Sequence, residues 1–180
     1  MKLRNLVFSS LFSILIVIGS YISIPLPFTP VPLTLQLFFV LLSGVMLGPH
    51  FGFLSVLMYE ILGILGFPVF AGGQAGLSAL LGPTGGYLLG FLIAPVVIGS
   101  LNRKNKKLLI FGIILAILEI HLLGITYLSF NLKISLSKAF LIGSLPFLPL
   151  DFVKGIFVYL FTSLLCHREL PETLEPPFSS

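Results

Sequence analysis

Residues 66–90 read GFPVFAGGQAGLSALLGPTGGYLLG, and the rest of the chain is read outward from them. The stretch holds Gly66, Gly72, Gly73, Gly76, Gly82, Gly85 and Gly86 with Pro68 and Pro83, yet no Lys, Arg, Asp or Glu. Glycine at that density suits a loop, where positive φ and close backbone approach cost little, while the low polarity suits a segment kept out of bulk water. Such a loop lies against something. Long hydrophobic segments flank it on both sides, and a bilayer tolerates non-helical backbone only where protein buries it or it lines a cavity. The stretch therefore reads as the wall of a ligand pocket at a membrane surface.

The composition agrees. The 180 residues are 57% hydrophobic and only 9% charged, with a mean hydropathy of +1.14. Soluble domains carry about 25% charged residues, so this is an integral membrane protein. Its length allows roughly six helical spans of about 20 residues. The expected fold is an all-α polytopic bundle forming one integral membrane domain over residues 1–180. Spans are predicted at residues 6–24, 33–47, 52–65, 86–101, 108–130 and 150–166, with loops at 25–32, 66–85 and 131–149. Energy for any transport would come from another chain or from an ion gradient.

Several classes of function are disfavoured. The net charge of +4 resides in flanks and loops and not along a polar face, so no nucleic acid partner is expected. The lone Cys166 permits neither an internal disulfide nor a Cys-based metal site. Glu119 and His121 are too few for zinc. There is no P-loop motif for ATP and no G-x-S-x-G elbow, and Ser78 lacks a nearby histidine. No catalytic residue, metal or cofactor is expected.

Met1–Asn5 carry Lys2 and Arg4 ahead of an apolar run that lacks an A-x-A cleavage site, so the run is read as a retained first span. Pro25, Pro27, Pro30 and Pro32 then make a stiff loop. Gly48, Pro49 and His50 turn the chain over between the second and third spans. The eight-residue segments at 47–54 and 81–88 share L-G-P-x-x-G-aromatic-L, which either a short repeat or common helix-start chemistry explains. Six spans put both termini on one side of the membrane. That side receives Lys2, Arg4, Arg103, Lys104, Lys106, Lys107 and Arg168, and the other receives Lys133 and Lys138. The excess of Lys and Arg makes the termini cytoplasmic. The proline-rich loop, the glycine-rich loop and the start of the last span, near Pro146 and Pro149, then converge outside.

Asp151 and Lys154 lie one turn apart within an apolar run and share a helix face. Ionisable groups at membrane depth usually face an interior cavity and mark a ligand or ion site. The alternative is that Asp151 caps the last helix and Lys154 neutralises it. As a site, the pair suits a ligand that combines N–H donors with carbonyl or carboxylate oxygens. Gln74 and the backbone amides of Gly72 and Gly73 would add partners from the loop, and Tyr87 could stack or hydrogen-bond. Glu60, Glu119 and His121 are also intramembrane; pairing among them across the third and fifth spans or snorkelling is favoured over a proton relay. Ser9 and Ser13 place small side chains along the first span, either for packing in the bundle or for an external partner helix.

FTPVPLTLQ (28–36), LLSGVMLGP (41–49), the segment 66–91 and PLDFVKG (149–155) together resemble the BioY family, the biotin-binding membrane subunits (S components) of energy-coupling-factor (ECF) vitamin transporters. The likeness covers about residues 6–166. It implies a six-transmembrane-helix bundle of the ECF S-component type in the bacterial cytoplasmic (inner) membrane. The implied function is biotin uptake as the substrate-binding subunit of an ECF-type ABC transporter. One transmembrane scaffold (T) protein and two ATPases would drive it, and those partners alone would use ATP. By the same resemblance Asp151 and Lys154 are partners for the ureido ring and other polar atoms of biotin. Gln74 matches the family's amide side chain after Gly-Gly, beside the Gly72 and Gly73 amides and Tyr87 read above as substrate contacts, and Thr29, Pro30, Val31, Pro68 and Phe70 belong to the closing loops. Some members have Asn at the position of Gln74, and some have Arg where this chain has Leu88. The family's small-xxx-small contact with the scaffold maps loosely onto Ser9, Ser10 and Ser13. A carrier for another small vitamin such as lipoate, acting alone or with the same module, is the alternative reading.

Overall fold

The computed structural model describes residues 3–102 and 106–167. Lys2, Arg103, Lys104 and Arg168, which carry much of the charge asymmetry, lie outside the described residues. The elements are α1 (Leu3–Tyr21), β1 (Ser23–Ile24), β2 (Leu33–Thr34), α2 (Gln36–Ile64), a 3-10 turn (Ala71–Gly73), α3 (Leu77–Leu81), α4 (Gly85–Asn102), α5 (Lys106–Leu132), α6 (Leu136–Gly143) and α7 (Leu148–His167). The long helices are apolar around their whole circumference, as expected where backbone groups must be satisfied within each segment. Large apolar side chains such as Ile14, Leu122, Phe130 and Phe157 stay exposed on the outside, as they do in a multi-pass membrane protein facing lipid.

The predicted second and third spans are one helical run broken at a single residue. Gly48 has φ +75° and ψ −175°, a conformation essentially reserved for glycine, and it folds α2 back on itself before Pro49. The Gln36 Nε2 donates to the Tyr59 hydroxyl at 2.9 Å, although a straight helix would keep the two residues about 34 Å apart. The turn is therefore tighter than the expected loop at 48–51. The first arm starts at Gln36 and not at residue 33, because Leu33 and Thr34 pair with Ile24 and Ser23 in a two-residue antiparallel ladder. The amide of Leu35 donates to the carbonyls of Gly19 and Ile22, both at 3.1 Å. Residues 25–32 are the tip of that hairpin. The shared L-G-P pattern does not mark a repeated backbone, since Gly82 has φ −77° where Gly48 is left-handed.

α4 packs between the α2 hairpin and α5, α1 lies along α2, and α7 packs on α2 and α5. Small residues allow this closeness. A Cβ on Gly44 would lie 2.7 Å from the Pro95 Cα of α4, and one on Gly90 would lie 2.8 Å from the Ile120 Cα of α5. α6, N-capped by the Ser135 hydroxyl, meets α7 at a bend of 54°. With α2 counted as two arms and α6–α7 as one bent span, the chain is an all-α six-helix membrane bundle.

Ser9 and Ser13 correct one expectation. Both are buried, and the Ser9 hydroxyl donates to the Phe51 carbonyl at 3.1 Å, so they pack α1 onto α2 and are closed to an outside helix. Ser10 is exposed, with its hydroxyl on the Leu6 carbonyl at 3.1 Å and 3.9 Å from the Met58 sulfur.

Candidate functional site

Pro149 occupies the first turn of α7, where its missing N–H costs nothing, and the turn it starts carries Asp151 and Lys154 into the bundle. Asp151 lies inside the helix, its amide on the Phe147 carbonyl at 2.9 Å, so it is not an N-cap. Its Oδ1 accepts from Lys154 Nζ at 2.6 Å, and Nζ also donates to the Thr34 carbonyl at 2.7 Å. Its Oδ2 lies 3.1 Å from Nε2 of His121 on α5, while Nδ1 of that ring lies 2.8 Å from the Ser144 hydroxyl. Asp151, His121 and Ser144 are buried, and Lys154 is nearly so.

This chain of contacts forms one end of a cavity of about 730 Å³, counting the space at its mouth. Leu37 of α2, Leu88 and Phe91 of α4, Ile120 of α5 and Phe147 give it an apolar wall. Val31 to Thr34 approach from the hairpin, and Phe70, Ala71 and Gln74 from the glycine-rich loop. The loop is fastened from both sides: the Ser20 hydroxyl donates to the Val69 carbonyl at 2.5 Å, Tyr21 donates to the Pro68 carbonyl, and the Gly76 amide donates to the Gly63 carbonyl at 2.7 Å. Phe70 is seated in the notch left by Gly63 and meets Tyr59 edge-on, ring centroids 5.5 Å apart.

Of the residues singled out from sequence, Asp151, Lys154, Gln74, Tyr87, Val31 and Phe70 line this one cavity. Tyr87 contributes its ring, since its hydroxyl is committed to the Gly143 carbonyl at 2.6 Å. Gly72 and Gly73 do not line the cavity. With φ of +69° and +75° they shape the turn, and the Gly73 amide is used on the Phe70 carbonyl at 3.0 Å. Thr29 and Pro30 stand back from the cavity, the Thr29 hydroxyl accepting from the Val31 amide at 3.1 Å, and Pro68 serves as the anchor for Tyr21. The expected pairing of Glu60, Glu119 and His121 is absent: His121 pairs with Asp151, while Glu60 Oε1 and both Glu119 oxygens have no hydrogen-bond partner among the described residues. Sequence reading missed His121 and the Thr34 carbonyl as parts of the site. The histidine stood out as a polar residue in an apolar helix, but its partner is 30 residues away, beyond any helical spacing rule.

A helical membrane bundle that encloses one polar, charge-paired cavity beneath two fastened loops defines a polytopic membrane protein built to hold a small polar solute. The chain belongs to the BioY family, whose model matches residues 1–171. It is 45% identical over 155 residues to a probable biotin transporter BioY of Pyrococcus horikoshii, covering 86% of this chain and 91% of the relative. It is 43% identical to the biotin transporter BioY of Thermotoga maritima over 84% of this chain and 89% of that one. Among solved structures, the crystal structure of the S-component for biotin from an ECF-type ABC transporter superposes with a TM-score of 0.85 at 31% identity, covering 93% of both chains. The relatives are named as transporters, and a transport role fits the chain.

Proposed function

We propose that this chain is the biotin-capturing S component of an ECF-type vitamin transporter, holding biotin by its ureido ring at Asp151 and Lys154. The observation that carries this is a count of unused hydrogen-bonding capacity. A lysine ammonium has three protons, and Lys154 commits two, to Asp151 and Thr34. A carboxylate has about four acceptor positions, and Asp151 uses two, for Lys154 and His121. One donor and two acceptor positions remain, which matches a cyclic urea with its one carbonyl and two N–H groups. The apolar wall suits the thioether ring and the aliphatic chain of the same molecule. Because Leu88 offers no charge, the biotin carboxylate falls to Gln74 and Thr84, two polar residues that line the same cavity.

Both termini then lie on the cytoplasmic side of the inner membrane and the two loops outside. Biotin enters beneath the loops, which close over it. A T protein and two ATPase subunits, the only parts that consume ATP, reorient the loaded subunit for release. The test is to purify the protein from biotin-containing medium, identify the bound molecule by mass spectrometry, and titrate the emptied protein with biotin and with lipoate. Biotin should be recovered and should bind in preference. Lipoate, whose dithiolane has no N–H or carbonyl, leaves the spare donor of Lys154 and the spare acceptor positions of Asp151 unused, so preferential lipoate binding would overturn the reading.

Phe70→Ala opens the wall beneath the glycine-rich loop and empties the Gly63 notch. Buried aromatic anchors at binding sites are worth about 2 kcal/mol or more, so biotin should bind at least about 30-fold more weakly, mostly through faster release. Stopped-flow displacement of bound biotin checks this.

A further inference from the structure

We propose that His121 is a positioning residue for ligand capture: its Nε2–H fixes the Asp151 carboxylate so that the two unused acceptor positions face the cavity. This rests on the biotin reading of the site and deepens it. A carboxylate only accepts hydrogen bonds, so the ring nitrogen 3.1 Å from Oδ2 must carry the proton. In the neutral ring Nδ1 is then bare, and its neighbour at 2.8 Å, the Ser144 hydroxyl, supplies the matching donor. The ring itself is held edge-on to Tyr87, with centroids 6.1 Å apart, and Tyr87 is locked by its bond to Gly143. Each partner thus has its orientation set by the next, and the series ends on the one carboxylate that faces the ligand.

Lys154 grips only Oδ1, which leaves the carboxylate free to rotate about its χ2 unless something holds Oδ2. With His121 in place, neither oxygen can swing away or turn its one free lone pair into the bundle wall. A preorganised acceptor pair spares the ligand the cost of ordering it.

Two substitutions separate this role from simple packing. His121→Phe keeps a ring against Tyr87 but removes the N–H. His121→Gln loses the ring but returns an amide N–H at about the same reach. If the N–H positions Asp151, His121→Phe should weaken biotin binding by about 10- to 100-fold, as for a lost hydrogen bond to a charged group, while His121→Gln stays within about threefold of the unsubstituted protein. Should His121→Phe fail to fold, Ser144→Ala serves in its place. It frees the ring to flip or change tautomer and should weaken biotin by about threefold or more. The measurement is calorimetric titration of the full chain in detergent. Unchanged affinity in His121→Phe, or in Ser144→Ala where that stands in, overturns the proposal, as does a greater loss in His121→Gln than in His121→Phe. If the unsubstituted protein itself takes up no biotin, the function proposed above fails first, so the two failures are distinguishable.

Discussion

Lys154→Met is expected to abolish biotin binding, with a loss of at least about 100-fold, and also to destabilise the bundle. The binding loss has two parts. The ligand's carbonyl loses its only charged donor, and the Thr34 carbonyl at the base of the proline hairpin loses its tie to α7. The stability loss arises because Asp151 remains buried with His121 as its sole side-chain partner among the described residues, and stripping one member from a buried pair costs about 3–5 kcal/mol. The double substitution Asp151→Asn with Lys154→Met removes the stranded charge. It should be as inactive as Lys154→Met in a biotin titration yet melt at a higher temperature. Wild-type affinity in Lys154→Met would remove the ion pair from the site, and a double variant less stable than the single one would contradict its placement in a buried pair.

The second large effect is expected at Gly48, far from the ligand. Its φ of +75° with ψ near 180° is reached by other residues only with strain of about 1–3 kcal/mol. The turn also has little room to shift, because it packs against Gly99 of α4, where a Cβ would lie 2.3 Å from the Pro49 nitrogen. Gly48→Val should therefore lower the midpoint of thermal unfolding in detergent by about 2–12 °C. Protein that survives should bind biotin normally, because the turn lies at the opposite end of the α2 arms from Gln36 and the cavity. The demand for a left-handed backbone ends at Gly48. His50, two residues on, has no positive φ and an exposed side chain, so His50→Ala should leave the midpoint within about a degree.

The long helices, the two irregular loops and the acid–base pair were legible in the sequence because each is a local pattern, whereas the short α3 and α6 lie inside stretches expected as the loops 66–85 and 131–149. A run of apolar residues, a density of glycine or proline, and two ionisable residues at i and i+3 are all visible without knowing the fold. What remained hidden depends on distant segments meeting. Gly48 looked like part of a four-residue turn, since its backbone angles are not written in the letters G-P-H. Ser9 and Ser13 suited an outside helix or an inside one equally well, and only the position of the second α2 arm settled them inside. Gly72 and Gly73 suggested free amides in contact with a ligand, whereas the turn they form consumes one of them. His121 found its partner across 30 residues of chain, which no periodicity reports.

The fastening of the roof to α1 has a mechanical consequence. Ser20 and Tyr21, at the end of that helix, grip Pro68 and Val69, and Gly19 and Ile22 receive the amide of Leu35 just beyond the proline hairpin. One rod thus carries both shutters. A tilt of that end would pull on both together, while the Gly76 amide on the Gly63 carbonyl keeps the glycine-rich loop tied to α2 as well.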